Sequence, residues 1–200
     1  MSRTPNSRKE ETHARILAVA ARAIRERGYA GVGVADVMKE AGLTHGGFYA
    51  HFASRDALLV EALEQAGRDS FDAVVRNTER RSRNGASPFR ALVETYLADG
   101  LLGSLEAGCP VAALCADMPR QEPTVRDASA RRVQRLIAAV QARLPESPEV
   151  ASVVAGTLVG SLQLARAIGD NPEGRAILSQ ARKTLVQQYD RPAAGRPNTH

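Results

Sequence analysis

The sequence predicts an all-α protein, with a three-helix N-terminal module followed by a longer helical region. Ala, Leu, Val and Arg dominate and aromatics are few, a composition that favours helix. Apolar residues recur at spacings of three and four, which places them on one face of a helix. Alternating β-branched runs bounded by turn pairs are absent, so no sheet is expected. With 200 residues, the chain can hold one large domain or two small ones.

Residues 1–9 read as a basic arm. The first helix is expected from Glu10 to Gly28, with Ile16, Leu17, Ala20, Ala23 and Ile24 as its apolar stripe. A second helix runs from Val34 to about Ala41, and a short third from His45 to His51. A fourth opens at Ser54, with Asp56 in its first turn, where negative charge suits the helix dipole. It is expected to continue to about Arg83. Asn84-Gly85-Ala86-Ser87-Pro88 reads as a loop. Further helices are expected at 88–105, 111–118, 124–144, 149–168 and 172–189, separated by Gly- and Pro-containing breaks. The tail from Arg191 to His200 has a disordered composition. The expected organisation is arm 1–9, N-terminal module 10–56, C-terminal helical domain 57–190 and tail 191–200.

The segment Val34 to Phe52, VADVMKEAGLTHGGFYAHF, is the most informative. Gly42 follows the second helix, where glycine adopts a left-handed conformation cheaply. Leu43 is expected as a buried turn residue, and Thr44 stands where an N-cap belongs. The third helix is too short to be stable alone, so neighbours must hold it. Two helices joined by such a turn describe a helix-turn-helix, whose second helix enters the DNA major groove. Charge agrees with this. Residues 1–55 carry nine Lys and Arg against five Asp and Glu, most of the whole chain's +5, and phosphate neutralisation needs such an excess.

These residues resemble the DNA-binding domain of the tetracycline-repressor-like (TetR) family of bacterial regulators. The resemblance rests on Gly28-Tyr29, Val34 to Met38, Ala41-Gly42-Leu43-Thr44, Gly46-Gly47-Phe48-Tyr49-Ala50-His51-Phe52, and Ser54-Arg55-Asp56. It covers about the first third of the chain. Arg55 stands where the family usually has Lys, and Gly33 where Thr or Ser usually caps the second helix. The resemblance implies that Thr44 and Tyr49 donate hydrogen bonds to phosphate. His45 and Gly46, with Gly47 beside them, face base edges, and His51 and Arg55 grip the DNA backbone. Phe48, Phe52 and Tyr29 are expected in the core, with the Tyr29 hydroxyl at the rim. Thr12 and Arg15 could touch phosphate or lie on a solvated surface.

For the C-terminal domain the resemblance implies a ligand-responsive regulator, most simply a repressor released from an inverted-repeat operator in double-stranded DNA by a small molecule. Candidate pocket residues are Phe71, Val75, Tyr96, Leu114, Met118 and Gln163. A homodimer is expected through the helices at 149–168 and 172–189. The first is rich in small residues, and the second carries Ile177, Ala181, Leu185 and Tyr189 at near four-residue spacing. An aspartate at Leu162 or Leu185 would then give monomers or insoluble protein. An alternative is control by a partner protein or through Cys109, which precedes a short helix. A thiol at a helix N-terminus can be reactive, although a free cysteine is more often a small buried hydrophobe.

No nucleophile–base pair, metal-ligand spacing or phosphate loop is visible, so neither enzymatic activity nor a cofactor is expected. The N-terminus lacks the apolar core of a secretory signal. The uncharged stretch Val150 to Ala165 is shorter than a full membrane span and reads as a buried helix. Two cysteines suit a reducing cytoplasm.

Overall fold

The computed structural model describes residues 5–144 and 146–190, and among them only helices, turns and loops occur. The α-helices are α1 (Pro5–Arg27), α2 (Val34–Glu40), α3 (Arg55–Arg83), α4 (Pro88–Tyr96), α5 (Pro110–Leu114), α6 (Pro123–Gln141), α7 (Ala151–Ile168) and α8 (Pro172–Tyr189). Short 3₁₀ turns lie at His45–Ala50, Asp99–Leu101, Met118–Arg120 and Pro148–Val150.

The sequence signals act where they were expected, with several differences, among them that the helix expected at 111–118 ends at Leu114. Gly28 and Gly42 have φ of 71° and 70° and end α1 and α2. Ser87 caps α4 by accepting from the Arg90 amide, with Pro88 at its first position. Asn171 caps α8 by accepting from the Glu173 and Gly174 amides. However, α1 begins at Pro5, so residues 5–9 are helix rather than arm. The expected helix at 88–105 ends at Tyr96 and resumes only as a 3₁₀ turn, in a stretch broken by Gly100 and Gly103. The segment expected as a short third α-helix is a 3₁₀ turn. Its two adjacent glycines are poor α-helix formers, and three-residue closures such as the Gly47 amide on the Thr44 carbonyl, 3.1 Å, take over. Residues 191–200, expected to be a disordered tail, lie outside the described residues.

The chain forms two compact units. The first comprises residues up to Phe71 together with Leu105–Gln134, and the second comprises Asp72–Ser104 with the chain from Arg135 onward. This division does not follow the expected boundary at residue 56. The reason is visible in the first unit, where the helix-turn-helix is bonded to residues of the later segment. Arg25 donates to the carbonyls of Glu106 and Ala66. The Tyr29 hydroxyl meets the Ser129 hydroxyl at 2.7 Å. Ser129 donates its own proton to the Val125 carbonyl, so Tyr29 is the donor to Ser129. Burial raises the Tyr29 phenol above its ordinary value, which keeps that proton in place. Tyr29 is therefore core throughout, and its hydroxyl is buried rather than at the rim.

In the second unit α7 and α8 pack along one another, and α4 packs on α8. Val154, Leu158, Leu162 and Ala165 of α7 and Leu178 and Leu185 of α8 fill that core. Segment 148–168 is long and apolar enough to cross a membrane by length and composition, although 39% of it is buried within the fold.

Candidate functional site

The helix-turn-helix is held from beneath by aromatic side chains. Phe48 and Phe52 are buried and stack at 5.5 Å. Phe52 also stacks on His13 of α1 at 4.6 Å, and His13 meets Glu61 of α3 at 2.9 Å. The 3₁₀ turn is thus pinned by two rings, as a segment too short for independent stability requires. Its opposite side is free.

That free side collects most of the expected contact residues. Tyr49 is 71% exposed, the most exposed of the large hydrophobic side chains. Thr44, His45 and Gly46 are exposed beside it, and Gly47 is half-buried. Thr44 occupies the cap position with extended backbone, yet its side chain makes no capping bond. Its hydroxyl is free for another acceptor. A Cβ added at Gly46 would meet nothing within 4 Å, and one at Gly47 would make only ordinary contacts with Met38 and Thr44. Neither glycine is required by packing against the first two helices.

Two expected contacts have a different setting. Arg55 donates Nε to the Val32 carbonyl at 3.0 Å and a terminal nitrogen to the Tyr29 carbonyl. Two nitrogens of the guanidinium tie the turn between α1 and α2 to the start of α3, so Arg55 also positions the module. His51 is half-buried, and its Nδ1 is buried without a hydrogen bond among the described residues. Burial, then His13 and Lys9, lower its pKa below the usual histidine value. At neutral pH it is therefore a neutral donor, not a cation. Thr12 spends its hydroxyl on the Arg8 carbonyl, 2.8 Å away, and Arg15 is exposed.

The six candidate pocket residues are divided between the units. Leu114 and Met118 are buried in the first, where Phe71 is 47% exposed. In the second, Tyr96 is buried while Val75 and Gln163 are half-buried. Two cavities occur in the second unit. One is a groove of about 650 Å3 whose charged walls are largely paired, Arg81 with Glu94 and Arg182 with Asp99. The other, about 240 Å3, lies among Phe89, Leu144 and Tyr189, with Arg143 at its wall. None of the six residues lines either cavity.

Cys109 is 5% exposed and precedes α5, which has only five residues. Cys115 is less buried. The packing role therefore fits Cys109 better than the reactive one. In native protein iodoacetamide should modify Cys115 first and Cys109 only after unfolding, read by mass spectrometry of the peptides. Rapid labelling of Cys109 in folded protein would reverse that assignment.

One residue escaped the sequence reading. Arg132 of α6 is 8% exposed, and its Nε is buried with no hydrogen-bond partner. The signal was present in the periodicity. Val125, Ala128, Ser129, Leu136 and Val140 form the buried face of α6, and Arg132 falls at the spacing of that face.

A buried aromatic platform carrying an exposed, small-residue turn in a helix-turn-helix defines a DNA-binding regulator. Residues 16–62 match the model of the bacterial regulatory proteins of the tetR family. An uncharacterised HTH-type transcriptional regulator of Mycobacterium tuberculosis is 30% identical over 189 residues, covering 87% of this chain and 94% of the relative. The regulator TtgR of Pseudomonas putida is 37% identical over 79 residues, covering 40% of this chain and 37% of its own. The fold resembles a TetR regulator from Chloroflexus aurantiacus, with TM-score 0.70, 20% identity and coverage of 91% and 97%. It equally resembles reduced NemR of Escherichia coli, with TM-score 0.70, 22% identity and coverage of 92% and 100%. The chain belongs to the TetR family of transcriptional regulators.

Proposed function

We propose that this regulator is a repressor that binds an inverted repeat in double-stranded DNA as a homodimer and is released by a small molecule. The observation that carries the DNA part is the free face of the 3₁₀ turn. Glycines that the fold itself does not need let the backbone approach a surface closely. Tyr49 and the uncapped Thr44 offer hydroxyl donors to phosphate, and His45 offers a ring to a base edge. His51 adds a neutral donor. Arg55 contributes by positioning the module.

The dimer reading rests on α7. Val153, Leu164 and Ile168 are exposed, with Gly156 and Thr157 on the same side. A Cβ at Gly156 or Gly160 would meet nothing within 4 Å, although glycine weakens a helix by about 1 kcal/mol relative to Ala. A stripe both apolar and glycine-bearing, with no packing reason inside the chain, suits close approach of a second copy. The expected contribution of the last helix is smaller. Leu185 is buried within its own unit, and Ile177, Ala181 and Tyr189 are half-buried. A cytoplasmic location accords with a DNA target.

Selection from a random duplex pool tests the core of this reading. Enrichment of a two-fold symmetric site is expected. Tyr49→Ala should weaken binding to every sequence by about tenfold, and affinity should fall as salt rises. His45→Ala should instead change which site is enriched. If low-salt selection enriches no sequence, DNA recognition by this turn is wrong.

A further inference from the structure

Arg132 is the most unusual charge in the protein. It is buried on the inner face of α6, and no carboxylate, carbonyl or hydroxyl pairs with it among the described residues. An arginine cannot discard its proton as a buried lysine can, so Nε is held from water unpaired, while the terminal nitrogens are not among the buried unpaired atoms and stay open to an incoming acceptor. Such a charge is costly unless an anion completes it.

Its seat is specific. A Cβ at Gly67 of α3 would lie 2.3 Å from an Arg132 terminal nitrogen, 2.8 Å from Cδ and 2.9 Å from Cζ. With alanine at 67 the guanidinium would have to shift from this position. Leu63 and Ala66 of α3 and Ala128 and Leu136 of α6 are buried apolar neighbours in sequence along the same two helices. Gly67 and Phe71 stand one turn apart on α3, and Phe71 is an exposed ring.

We infer that Arg132 is the anchor for an organic monoanion, whose carboxylate takes the guanidinium fork and whose apolar body lies along α3. Bidentate carboxylate pairing matches the planar fork and supplies the missing charge. This names the effector class and rests on the ligand-release reading above. The same stripe of α6 carries the link to the reading head. Ser129, one turn before Arg132, accepts the Tyr29 hydroxyl, and the Tyr29 carbonyl accepts Arg55 at the start of α3. An anion that moves Arg132 therefore acts on the helix face that holds the turn before the helix-turn-helix.

The test uses full-length protein, with benzoate and octanoate as probes and benzamide and octanamide as neutral controls. Thermal melting without probes comes first. Arg132→Met keeps the stem and removes the unpaired charge, so its Tm should equal or exceed that of the wild type. A fall of more than about 4 °C, roughly 1 kcal/mol or more for a chain of this size, would mean that the cation is satisfied by the fold and overturns the proposal. Calorimetric titration comes second. A carboxylate probe should bind wild type, the matching amide should not, and Arg132→Met should lose at least about tenfold in affinity. Gly67→Ala should weaken the carboxylate in the wild type but change nothing in the Arg132→Met background. No saturable binding by either carboxylate up to the order of 10 mM, or equal binding by Arg132→Met, also overturns it. DNA release is measured separately. Carboxylate binding without release leaves the Arg132 site standing and counts against the ligand-release reading alone.

Discussion

Phe48→Ala should cost about 3–5 kcal/mol of stability, the range for removing a buried aromatic ring from a packed core. The loss is large because Phe48 is the buried ring within the 3₁₀ turn itself. It stacks on Phe52 and meets Tyr49 edge-on at 5.2 Å. The turn has no side-chain cap bond and carries two glycines, so it keeps little helical preference of its own once the ring is gone. Specific DNA binding should disappear with it. Tyr49→Ala, next in sequence, separates the two effects. Tyr49 points outward, so its removal should leave the melting temperature nearly unchanged while affinity falls. Chemical denaturation and duplex binding on both variants decide this. A Phe48→Ala protein that melts like wild type would mean that the turn is held by something other than its rings.

Leu164→Asp should convert the proposed dimer to a folded monomer, weakening association by at least about 100-fold. A two-fold interface buries the substituted side chain twice, and each unpaired carboxylate removed from water costs several kcal/mol. Leu164 is 63% exposed in the single chain, so the monomer should keep its helical circular dichroism. Leu162, two residues earlier, is fully buried. Aspartate there reports on folding rather than association, as does aspartate at Leu185. The expectation that either position probes the dimer is therefore corrected to Leu164 and Gly156. Gly156→Arg should act like Leu164→Asp, because the single chain has room for the new side chain. Sedimentation at micromolar concentration distinguishes the outcomes. A Leu164→Asp protein that remains dimeric would remove the outward face of α7 from the interface.

The order of helices and the identity of the reading head were legible in the sequence because they rest on local chemistry. Gly28 and Gly42 end helices wherever they occur, since glycine alone reaches positive φ cheaply. Ser87-Pro88 and Asn171-Pro172 start helices through their own side chains and ring. The run from Val34 to Phe52 carries enough spacing information to place Phe48 inward and Tyr49 outward. What only the tertiary structure decided is the partner of each side chain. Arg55 reads from the sequence as a cation beside the recognition turn, and only the fold shows that it is bonded to the carbonyls of Tyr29 and Val32, from a turn more than twenty residues away. Leu162 and Leu164 are equally apolar in sequence, and the packing of α8 against one side of α7 decides which is core. Arg132 reads as one of several arginines on a polar helix. Its burial follows from the rotation of α6 against α3, where a single hydrogen for a side chain at Gly67 leaves room for a charge. Helix identity depends on residues within a few positions, whereas burial and pairing depend on contacts between residues far apart in the chain.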